Sequence, residues 1–138
     1  REDLRDVLPP SMAAYHPGWV YHGLLVGPLS EAALLLDRLL AGQILPPALL
    51  ADMQDAIVLG GPIPGRPWAT PGYGLGLMIG GTNSGHRLVG HTGGGPGSVI
   101  AVYQCAHGDQ VATCAVFSEG HDEGAVESTA LAQLTQHS

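Results

Sequence analysis

The chain contains no lysine, a single phenylalanine and only two cysteines in 138 residues. Its five cations are all arginine, against twelve Asp and Glu, for a net charge of −7. A nucleic-acid partner needs a basic face to neutralise phosphates, and an anionic membrane surface needs much the same, so the charge argues against both. Charged residues are 12% of the chain, well below the ordinary share of about a quarter. A surface so poor in charge points to part of it being covered. No apolar run reaches the ~20 residues that cross a bilayer as a helix. The opening Arg1-Glu2-Asp3-Leu4-Arg5-Asp6 mixes both signs and does not read as a signal peptide, which leaves cytoplasmic and exported placement both open. The absence of an opening Met points to processing or to a piece of a longer chain. Two cysteines make no disulfide framework. Cys105 and Cys114 flank an expected turn and share a sheet face by period-two counting; buried free thiols are the first reading and a cross-strand disulfide the second.

What is present suits one small domain or part of a larger one, with 45% apolar residues to build a core. Residues 1–29 read as an irregular lead-in punctuated by Pro9-Pro10, Pro17-Gly18 and Gly27-Pro28. Residues 30–56 read as helical. Ser30 is the expected N-cap, Glu31 suits the first turn, and Leu35, Leu36, Leu39 and Leu40 repeat at helical spacing before Gly42. Pro46-Pro47 opens a shorter helix with Leu49, Leu50 and Met53 as its buried face. Residues 57–72 read as a long Gly/Pro loop. Residues 73–118 carry strand texture: Tyr73 to Ile79, Arg87 to Thr92, Val99 to Cys105 and Val111 to Phe117, separated by Gly-containing turns. Apolar residues on both parities of 99–105 predict a sheet covered on both faces. The remaining residues, 119–138, form a terminal helix with Val126, Ala130 and Leu134 in line. Glu119, Asp122, Glu123 and Glu127 read as its solvated start.

The segment with chemical character is His91-Thr92-Gly93-Gly94-Gly95-Pro96-Gly97. Three glycines after a strand strip away Cβ atoms and let another group approach the backbone. A strand edge of this kind offers N–H and C=O groups as an extra strand would, and an N–H there can stabilise an oxyanion. His91 adds a ring N–H donor, and Thr92 adds a hydroxyl for a ligand carboxylate or carbonyl. A phosphate cradle does not fit, since neither a helix start nor a Lys follows. The seven His residues have no usual zinc-ligand spacing, so neither a metal nor a cofactor is expected.

His91-Thr92-Gly93 resembles the basic residue-Thr-Gly triplet of beta-lactamase-like serine hydrolases and penicillin-binding proteins, whose esterase-like members often carry His at the first position. Tyr73-Gly74-Leu75-Gly76-Leu77 is similar to the family's preceding strand, and Trp19 to Met53 to its helical passage. The resemblance runs from about Pro17 to about Leu134. It implies an α/β fold: an antiparallel sheet of about four strands with flanking helices, the C-terminal part of the beta-lactamase/transpeptidase-like fold, here spanning 1–138. It also implies acyl-enzyme hydrolysis of an ester, amide or beta-lactam. His91 and the Gly94 N–H would be catalytic, and Thr92, Gly93, Gly95 and Trp68 would bind substrate. The family's Ser-x-x-Lys is impossible in a chain without Lys, so the nucleophile would come from elsewhere. A non-catalytic ligand-binding module or a remnant of the same fold is the other reading. The incomplete sheet would leave an edge or face to be covered by the N-terminal half of the fold or by a second copy of the chain.

Overall fold

Pro28 sets the start of the first described element. The computed structural model describes residues 27–136 except Pro96; the lead-in with Trp19, Tyr21 and His22 lies outside them. Helix α1 (Leu29–Leu40) begins where the Pro28 carbonyl accepts from the Glu31 N–H at 3.0 Å, so Pro28, not Ser30, occupies the N-cap, and no side chain caps the end. The C-terminus closes as a Schellman motif: Gly42 at φ +72° donates to Leu39 at 3.1 Å, and Gln43 donates to Arg38 at 2.9 Å. Helix α2 (Pro47–Gln54) begins at its proline pair and buries Leu50, while Leu49 faces solvent.

Six strands follow in a meander, each antiparallel to the next in the order β1 to β6: β1 (Ile57–Val58), β2 (Trp68–Tyr73), β3 (Met78–Thr82), β4 (Arg87–Gly95), β5 (Ser98–His107) and β6 (Gln110–Glu119). The count exceeds the expected four for two reasons. The span expected as a loop over 57–72 contributes β1 and most of β2, because Ile57-Val58 pairs with Gly72-Tyr73. The stretch Tyr73 to Ile79, expected as one strand, instead folds back on itself: Gly74 donates to Leu77 at 2.8 Å and Gly76 takes φ +74°. Helix α3 (Glu123–Thr135) closes the described chain, with the Asp122 carboxylate capping the Ala125 N–H at 2.9 Å.

Strand alternation divides the core in two. On one face Trp68, Leu88, Ala101, Tyr103 and Cys105 pack under Val126, Ala130 and Leu134 of α3. On the other, Ile79 and Val89 meet Leu77 and Leu36 of α1. The expectation of a sheet covered on both sides therefore holds for its centre. Cys105 and Cys114 are both free. Tyr103 opposes Cys114 and Cys105 opposes Ala112, so the thiols are diagonal neighbours on the α3 face. Burial pushes both thiols above their ordinary range.

Candidate functional site

The upper half of β4 has a strand partner on one side only. Leu88 to Gly95 pair with β5, but pairing with β3 stops at Met78–Gly90. Among the described residues, His91 to Gly95 have no strand partner on the β3 side. Which backbone groups face that opening follows from the hairpin below. The Thr82 N–H donates to the His86 carbonyl at 2.8 Å, which makes Thr82–His86 a hydrogen-bonded pair. In an antiparallel ladder such pairs recur every second residue. Counting up β4, Leu88, Gly90, Thr92 and Gly94 aim N–H and C=O toward the β3 side, and His91, Gly93 and Gly95 aim theirs at β5. Above Gly90 the β3 side is open, so the free amides of this edge are those of Thr92 and Gly94.

Glycine is required within this strand at Gly90. A Cβ on Gly90 would lie 2.0 Å from the Val102 carbonyl oxygen and 2.7 Å from the Tyr103 ring. Gly94 is looser: a Cβ there would meet only Glu123 Oε1 at 3.6 Å and Val99 Cγ1 at 3.7 Å.

The side chains of the triplet part to opposite faces. His91 is exposed on the α1 side, and its Nε2 lies 2.8 Å from the Tyr73 hydroxyl, the two rings meeting edge to face. Tyr73 reaches it from the end of β2, a juxtaposition that only the strand register reveals. Thr92 points the other way and is 6% exposed. Its Oγ1 donates to Glu127 Oε1 at 2.6 Å and lies 2.7 Å from the Tyr103 hydroxyl. The Tyr103 hydroxyl also lies 3.2 Å from Glu127 Oε1, so its single proton is shared between that oxygen and Thr92.

Glu127 is the centre of this interior cluster and is fully buried. Arg66 reaches both of its oxygens, through Nε at 2.7 Å and through a guanidinium terminus. Trp68 Nε1 donates to it at 3.1 Å. A second terminus of Arg66 meets Glu123 at 2.8 Å. Burial alone would push the Glu127 carboxyl up, but the bonds from Arg66, Thr92 and Trp68 outweigh it and hold the group below the usual carboxylate range. The same pairing with Glu127 raises the Arg66 guanidinium. Burial is the main cause that pushes the Tyr103 phenol far up, so it stays a neutral donor.

These placements correct three expectations. Glu127 is not part of a solvated helix start: it shares the buried face with Ala130 and Leu134 at helical spacing, a periodicity present in the sequence but masked by its charge. Trp68 is 1% exposed, with its ring against Tyr103 at 5.5 Å and its N–H committed to Glu127, so it shapes the core instead of lining a pocket. The Thr92 hydroxyl is likewise turned inward. His91, Gly93, Gly94 and Gly95 do lie together along the open edge. Elsewhere, His86 and His107 stack edge to face at 5.0 Å, yet no group of three or more His, Cys, Asp or Glu among the described residues is placed to hold a metal ion.

No family model matches the chain, and no curated protein does. Among solved structures, a D-stereospecific amidohydrolase from a Streptomyces species is similar, at 23% identity and a TM-score of 0.58, over 79% of this chain. At that identity the likeness speaks to fold, and the chain spans 30% of the amidohydrolase's length. The six-stranded antiparallel sheet with its flanking helices is an α/β arrangement of the beta-lactamase-like type.

Proposed function

We propose that this chain supplies the substrate-lining wall of a serine hydrolase that cleaves an ester, amide or beta-lactam through an acyl-enzyme. The observation that carries the reading is the open edge at Thr92 and Gly94, flanked by the exposed His91–Tyr73 pair. An acyl group laid along that edge would pair with backbone as an added strand does. The Gly94 N–H would receive the oxyanion that forms when a serine Oγ adds to the carbonyl carbon. His91, held by the Tyr73 hydroxyl, would orient the leaving-group side. Gly93 and Gly95 keep the surface free of side chains where the ligand passes. Thr92 and Trp68 act from behind, by fixing the strand through Glu127.

The serine and its base would come from outside this chain, because a sequence without Lys holds no Ser-x-x-Lys. That same absence favours a second reading, a non-catalytic module that binds acyl ligands along the edge. Turnover of a 4-nitrophenyl ester and of nitrocefin separates the two, measured for the 138-residue chain and for the full-length product of its gene. The hydrolase reading expects turnover of at least one of the two, by the full-length product alone. A full-length product that binds the ester at His91–Gly95 without cleaving it establishes the module. Turnover by the isolated chain that is lost in His91→Ala would overturn the need for an outside nucleophile.

A further inference from the structure

The hydroxyl of Thr92 has one proton, and Glu127 holds it at 2.6 Å while the Tyr103 phenol occupies the oxygen's other side at 2.7 Å. It therefore has nothing to donate to a ligand carboxylate. Arg66, which meets the same carboxylate, is committed to Glu127 and, at 2.8 Å, to Glu123. Two carboxylates against one guanidinium leave the cluster behind the edge with one net negative charge. Part of that charge stands at the edge itself: Glu123 Oε1 is 3.6 Å from where a Cβ on Gly94 would lie, beside the amide that faces the opening. His91 stands on the opposite face, with Nε2 engaged by Tyr73.

We propose that Glu123 and Glu127 make the His91–Gly95 edge selective for uncharged acyl ligands, neutral esters and amides, and exclude ligands that carry a carboxylate. Glu127 does this by withdrawing the Thr92 hydroxyl and the Arg66 guanidinium, and Glu123 by placing a like charge next to the Gly94 amide. The inference rests on the edge being a ligand wall, and it narrows the substrate class to molecules without a free acid near the scissile bond.

The test is a titration of the ¹⁵N-labelled 138-residue chain at pH 7.5 with N-acetylphenylalanine methyl ester and, separately, with N-acetylphenylalanine, following the Thr92, Gly93 and Gly94 amides. The ester is expected to shift these signals with an affinity at least about tenfold above that of the acid, a gap of about 1.4 kcal/mol. In Glu123→Gln, which keeps the shape of a half-exposed side chain, the ratio falls below about threefold while the ester's own affinity holds. Equal or tighter binding of the acid, or a ratio that ignores Glu123→Gln, overturns the selectivity and leaves the ligand wall standing. If neither compound moves these amides, the ligand wall itself falls, and the selectivity with it.

Discussion

Glu127 occupies a position where a carboxylate is expensive to keep. Removing a charge of this kind from water costs several kcal/mol unless partners satisfy it, and here Arg66, Trp68, Thr92 and Tyr103 surround it. Glu127→Gln leaves Arg66 with half its anionic partners, and is expected to lower unfolding free energy by about 3–5 kcal/mol, read from urea denaturation. The pH dependence follows from the direction of the shift. The folded group titrates below its unfolded value, so its contribution is complete above the ordinary Glu value of about 4.3 and is lost as pH falls through the lower folded value. The urea midpoint should therefore fall below about pH 4, and that part of the profile should flatten in Glu127→Gln. The glycines divide sharply at the same scale. Gly90→Ala forces a Cβ into the Val102 carbonyl and should abolish a cooperative transition; Gly94→Ala meets ordinary contacts and should keep it. Little of this was legible in the sequence. The triplet was visible as a motif, but which way Thr92 turns depends on strand parity, and the partners of Glu127 lie 24 to 61 residues away along the chain.

At the scale of elements, local signals worked where the chemistry is local. The Gly42 closure, the Pro46-Pro47 helix start, the β5–β6 turn at Gly108-Asp109 and the α3 stripe all appear as their residues indicate. They failed where pairing decides. Trp68 to Tyr73 contains Pro71 and Gly72 and has a weak strand signature, yet it is held between β1 and β3. Pro71 is tolerated because it needs no ladder donor, and its carbonyl accepts from Leu59 at 2.9 Å. The caps give a paired prediction. Asp122→Ala should cost about 1 kcal/mol, because it removes the bond to the Ala125 N–H. Ser30→Ala should stay within about 0.5 kcal/mol, since Pro28 holds the cap position and no side chain bonds there. Thermal denaturation of the two variants side by side checks both.

At the scale of the molecule, the sheet formed by the described residues is sealed at its centre and open at its margins. Ten residues of β6, Gln110–Glu119, pair with β5 along one side. Val111 and Phe117 on that strand are 57% and 42% exposed, and the strand carries no Pro, Lys or Arg to blunt it. We propose that another segment of the same fold, or a second copy, covers this strand. Sedimentation of the isolated chain should then show self-association that Val111→Lys reduces, and a strictly monomeric chain at high concentration would argue against it. The open segment of β4 is a further margin, and it is the one to which the functional reading is tied. Native-state hydrogen exchange reads it amide by amide. Thr92 and Gly94 are expected to exchange at least about a hundredfold faster than His91 and Gly93, whose amides face β5. Protection in the reverse alternation, or equal protection of all four, would mean that the edge is not open and that no ligand wall exists there.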